Sequence, residues 1–66
     1  MPSEVRFALV RKALEQHGWT LQRTKGSHNR FTKPGEEPLT VPVTGGRWVK
    51  PIYVREIEKQ LGIKIW

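Results

Sequence analysis

The chain has 66 residues, with 12 Lys and Arg against 6 acidic residues, a formal charge of +6 and no cysteine. A chain this short holds one domain with a thin core, so a single domain over residues 1–66 is expected, with no room for a cofactor domain. Without cysteine there are no disulfides, thiolate nucleophiles or cysteine–zinc sites; with 2 histidines and no Asp, neither a metal nor a cofactor is expected.

The charge is unevenly placed. No acid lies between Glu15 and Glu36, where Arg23, Lys25, Arg30 and Lys33 fall, and none between Glu37 and Glu56, where Arg47, Lys50 and Arg55 fall. An acid-free basic centre attracts polyanions, with nucleic acid and an acidic protein as the leading candidates. No apolar run approaches a membrane span, and the N-terminus lacks the apolar centre of a signal peptide. The expectation is a cytoplasmic protein with no membrane partner.

In chain order, residues 4–17 read as a helix with Ser3 as N-cap. Val5, Ala8, Leu9 and Ala13 lie near one face, and Phe7, Val10 and Leu14 widen it. Gly18 sits where a left-handed residue ends a helix, and His17 falls in the last turn, where a helix favours a cation. From Trp19 the period changes to two, so Trp19, Leu21 and Arg23 should share one face of a strand and Thr20, Gln22 and Thr24 the other. Lys25-Gly26-Ser27 signals a turn. Residues 28–33 read as a second strand with Phe31 inward, and His28, Arg30 and Thr32 outward. After the turn at 34–38, Leu39 and Val41 face inward on a third strand that Pro42 ends or marks as an edge. Residues 44–50 read as a loop with a Gly-Gly hinge. Pro51 suits the first position of a second helix, whose buried side is Ile52, Val54, Ile57 and Leu61 and which Gly62 ends. Ile63 and Ile65 read as a strand-like cover over the core. The order is α-β-β-β-α: an α+β fold of two layers, a three-stranded antiparallel sheet with two helices on one face.

The outward row of the second strand carries His28 and Arg30, preceded by Lys25 and Ser27. A solvated histidine on a basic sheet face accounts for His28 structurally. The chemical alternative is a general acid/base among phosphate-binding cations, since an ordinary imidazole titrates near pH ~6.5. RNA cleavage without a metal needs a base for the 2′-hydroxyl, an acid for the leaving 5′-oxygen, and cations for the phosphorane. Lys25, Arg30, Arg47 and Lys50 are candidates for the cations. Arg47 and Lys50 precede the second helix, where positive charge is unfavourable unless an anion is bound. Trp48 is expected to plug the edge of the core, and Trp19 and Phe31 to lie in it. Gly45-Gly46 lacks the strand–loop–helix setting of a phosphate loop.

Gly18-Trp19, Lys25-Gly26-Ser27-His28, Phe31, Thr40-Val41-Pro42 and Leu61-Gly62-Ile63 together resemble the HicA family of toxin–antitoxin mRNA interferases. The resemblance implies a fold like that of double-stranded-RNA-binding domains. It also implies a metal-independent endoribonuclease that cleaves mRNA and inhibits translation, with His28 matching the catalytic histidine. An acidic antitoxin of HicB type is the implied partner. Members often carry a second histidine after the catalytic one, where this chain has Asn29. The nucleic-acid-binding residues expected are Lys25, Ser27, Arg30, Arg47 and Lys50. The alternative is a non-catalytic RNA-binding module using the same basic sheet face; a domain that docks an acidic protein is a third.

Overall fold

A computed structural model describes residues 4–65. In chain order the elements are β1 (Val5–Arg6), α1 (Phe7–Gln16), β2 (Thr20–Lys25), β3 (His28–Thr32), β4 (Leu39–Pro42), β5 (Trp48–Val49) and α2 (Pro51–Leu61). Strands β2, β3 and β4 form an antiparallel sheet in that order, and β1 pairs with β5 in a separate ribbon. Val10 and Leu14 of α1 and Val54 and Ile57 of α2 pack with Phe31 and Val41 in one core cluster. Both helices therefore cover the same face of the sheet, as the α+β reading expects. Among the described residues no helix is long and apolar enough to cross a membrane.

The N-terminal end differs from the helix expected over 4–17. Ser3 lies outside the described residues. Val5 and Arg6 are extended and pair with Val49 and Trp48, so α1 begins at Phe7. The Phe7 amide donates to the Arg47 carbonyl at 2.7 Å. A helix N-terminus leaves its first amides without partners, and here the ribbon supplies one that a capping side chain does not. The apolar face shifts accordingly. Val10, Ala13 and Leu14 are buried, whereas Leu9 is 53% exposed and Ala8 is exposed. On α2, Val54 and Ile57 are buried as expected, but Ile52 is 61% exposed.

In the expected loop at 44–50, Trp48 and Val49 form β5, and Val49 is fully buried. Trp48 is half-buried, in keeping with a plug at the edge of the core. Gly18 (φ +88°) and Gly62 (φ +71°) end the two helices as read. His17 is held at the end of α1, where Nδ1 donates to the Ala13 carbonyl at 2.9 Å. Ile65 packs against the core without forming a strand, and its amide donates to the Glu58 carboxylate at 2.7 Å.

The inner row of the sheet is Leu21, Phe31 and Leu39, directly opposite one another, with Phe31 fully buried at its centre. A chain of this size has a total stability of about 3–10 kcal/mol. Phe31→Ala is expected to remove about 3–5 kcal/mol, a large share of that total. Ile52→Ala should change stability by less than about 0.5 kcal/mol, because its side chain is already in water. Urea melts of the two variants check this, and an Ile52 loss comparable to that of Val54→Ala would contradict the exposed position.

Candidate nucleic-acid interface

The site begins with a two-residue hairpin. Lys25 and His28 are direct cross-strand partners, so the turn is Gly26-Ser27 alone. Gly26 has φ +59° and Ser27 has a negative φ, the pattern of a type II′ turn, which matches the right-handed twist of the strands it joins. His28 is thus the first residue of β3. Phe31 points inward, so alternation sends Arg30 and His28 outward and Asn29 inward. Burial agrees: His28 and Arg30 are exposed, Asn29 and Phe31 buried.

Strand β2 does not keep the simple alternation expected from Trp19. Leu21 pairs with Phe31 but Arg23 pairs with Arg30, so Gln22 is the extra residue of a β-bulge. The bulge reverses the parity of the rest of the strand. Arg23, expected inward beside Trp19 and Leu21, lies opposite Arg30 on the outer face, and Thr24 turns inward opposite Asn29. The sequence carried a signal for this, since a guanidinium has no place on the core side of a strand.

The outer face therefore holds two cross-strand rows. One runs Lys25, His28, Pro42, and the other Arg23, Arg30, Thr40. Arg23, Lys25, His28, Arg30 and Thr40 line a shallow open depression of about 220 Å³. Among the described residues the one ion pair is Arg11–Glu15 on α1, so no carboxylate neutralises these cations. Directly opposed like charges destabilise a sheet. Two arginines facing each other across β2 and β3 make physical sense on a surface that meets an anion.

The other expected residues lie elsewhere. Ser27 lines a smaller depression of about 110 Å³ with Phe7, Thr24, Asn29 and Val43, on the helix side of the hairpin. Its carbonyl accepts from the Val43 amide at 2.8 Å. Arg47 stands at the start of α1 rather than at α2, beside Arg6 and Arg11. Lys50 is the exposed N-cap residue of α2, and its side chain caps nothing. Of the residues expected to bind nucleic acid, Lys25 and Arg30 thus share the depression with His28, and Ser27, Arg47 and Lys50 do not line it. Arg23 and Thr40 join it unforeseen.

Asn29 explains how the hairpin is held. The Thr24 hydroxyl donates to its Oδ1 at 2.9 Å, and its amide nitrogen donates to the Val41 carbonyl at 3.4 Å. One buried side chain thereby links β2, β3 and β4 directly behind His28. Position 29 is also where HicA-type chains often carry a second histidine, and it faces away from His28. Among the described residues no group of three His, Asp or Glu side chains is placed to hold a metal ion.

These features define a small α+β domain with an exposed histidine on an uncompensated basic sheet face. A family model described as the HicA toxin of bacterial toxin–antitoxin systems matches residues 9–63. The chain belongs to the HicA toxin family, and that membership implies an antitoxin partner. No curated protein and no solved structure matches it.

The Arg23–Arg30 pair gives a stability test. Arg30→Gln is expected to stabilise the free protein by about 0.2–1 kcal/mol at low ionic strength, a gain that shrinks as salt screens the repulsion. Thermal melts at low and high salt measure it. Destabilisation at both would show that the guanidinium packs rather than repels.

Proposed function

We propose that this chain is a metal-independent endoribonuclease, the toxin of a type II toxin–antitoxin system. On this reading it is one domain that cleaves mRNA in the cytoplasm and so inhibits translation. The observation that carries the proposal is His28 in the open, surrounded by Arg23, Lys25 and Arg30 at one depression with no acid among them.

A single RNA strand laid across the outer face brings a phosphodiester against the guanidinium groups. His28 acts as general base on the 2′-hydroxyl. The 2′-oxygen attacks phosphorus, the P–O5′ bond breaks, and the 5′-oxygen leaves with a proton. Arg23 and Arg30 stabilise the extra negative charge of the phosphorane, and Lys25 holds a neighbouring phosphate. One histidine lines the depression, so His28 returns its proton to the leaving group or to solvent, and water supplies any second acid. A positioned acid/base contributes about 10²–10⁴ in rate, which makes this a slow nuclease.

His28→Ala is expected to lower cleavage of labelled mRNA in EDTA by about 10²–10⁴ and to relieve growth arrest, with RNA binding and the melting curve unchanged. Cleavage that survives the substitution, or that requires Mg²⁺, would sink the assignment. Binding with no cleavage by the wild type would favour the RNA-binding module. Arg30→Gln should weaken binding of every RNA sequence and lower the salt slope by about 0.7.

The antitoxin on this reading is an acidic protein of HicB type that covers the His28 face. Opposite potentials speed such an encounter and orient it. Binding the folded state also stabilises a chain with so thin a core, by about 2.7 kcal/mol at a hundredfold excess over Kd. Amide exchange of free and bound toxin should show protection over residues 23–30. Protection confined to α1 would mean that inhibition works by another route.

A further inference from the structure

A second basic surface lies at the opposite side of the hairpin tip. Arg6, Phe7, Ala8, Arg11, Gly46 and Arg47 line an open depression of about 280 Å³ that no acidic residue lines. Arg6, Arg11 and Arg47 are all exposed. The Arg6 guanidinium lies over the Trp48 ring, 5.5 Å from its centroid, a cation–π contact that uses none of its N–H groups as conventional donors. Arg11 uses only its Nε toward Glu15, at 3.1 Å, so its terminal nitrogens remain available. Among the described residues neither the Arg6 nor the Arg47 side chain has a hydrogen-bond or ion-pair partner. Three arginines drawn together by the β1–β5 pairing repel one another, and the fold itself offers a counter-charge to Arg11 alone.

This surface reaches the hairpin that carries the candidate site. Phe7 and Gly46 line both this depression and the smaller one that reaches Gly26 and Ser27. Gly26 and Ser27 are the two residues between Lys25 and His28. A path thus runs from the outer sheet face over the hairpin tip to the arginines. Gly26 and Gly46 stand along it, with open space where a Cβ would be.

We infer that Arg6, Arg11 and Arg47 form a phosphate subsite for the same RNA strand that His28 engages, so that the strand bends over the Gly26-Ser27 tip and is held on both sides of it. The inference rests on the ribonuclease reading and adds how the substrate is gripped. A short RNA fills only the sheet face, and a longer one gains the arginines. The subsite reads phosphates and not bases, so the gain is independent of sequence.

The test is fluorescence anisotropy with 2′-O-methylated single-stranded RNAs, which lack the nucleophile and stay intact, of about 4 and about 16 nucleotides. The wild type is expected to bind the longer RNA more tightly. Arg6→Gln/Arg11→Gln/Arg47→Gln should weaken the longer RNA by about tenfold to a hundredfold and lower its salt slope by about 2. The short RNA should be affected less than about twofold, because at physiological salt charges beyond about 8 Å are screened. Arg11→Gln/Arg47→Gln keeps the Arg6–Trp48 contact and should lower the slope by about 1.4, so the inference stays testable if the triple variant melts early. Unchanged affinity for the longer RNA, or equal losses at both lengths, overturns the subsite and leaves the sheet-face reading standing. A wild type that binds neither RNA overturns both.

Discussion

Phe31 has no exposed surface and lies between Leu21 and Leu39 at the centre of the sheet. Its burial sets the phase of β3. A slip of one residue in a strand exchanges its two faces, so burying Phe31 commits Arg30 and His28 to solvent and Asn29 to the interior. The set of side chains on the outer face is in this sense a consequence of core packing. The same strand carries the largest fully buried side chain and the histidine on which the proposed reaction depends, three residues apart.

The bulge at Gln22 extends that logic to the neighbouring strand. With strict alternation, either Arg23 would enter the core or Trp19 and Leu21 would leave it. One extra residue lets both ends of β2 satisfy their own environments. The cost is a pair of arginines facing each other with no acid nearby, which opposes folding. Natural sheets usually place opposite charges at such positions. On the ribonuclease reading proposed above, a phosphodiester supplies the missing charge.

The small β1–β5 ribbon has an effect larger than its size. It delays the start of α1 to Phe7, places Arg6 over Trp48, and brings Arg47 from a distant loop to the start of α1. Cations thereby gather on both sides of the Gly26-Ser27 tip.

The α-β-β-β-α order, the glycine helix ends, the inward Trp19, Phe31 and Val41, and the outward His28 and Arg30 were legible in the sequence, because each follows from a local period or a local backbone requirement. The run Lys25-Gly26-Ser27-His28 also carried the family resemblance that the matched family model bears out. The pairing of Arg23 with Arg30 through the bulge, the extended Val5 and Arg6, the strand at Trp48–Val49 and the exposure of Leu9 and Ile52 were not legible. Each depends on a partner far along the chain: Arg23 on register with Arg30, Val5 on Val49, and the buried stripe of each helix on the angle at which it meets the sheet. Local sequence determined which residues point to which side of an isolated strand or helix. Tertiary structure alone decided which cations share a surface, because that is set by pairings between segments whose periodicities say nothing of one another.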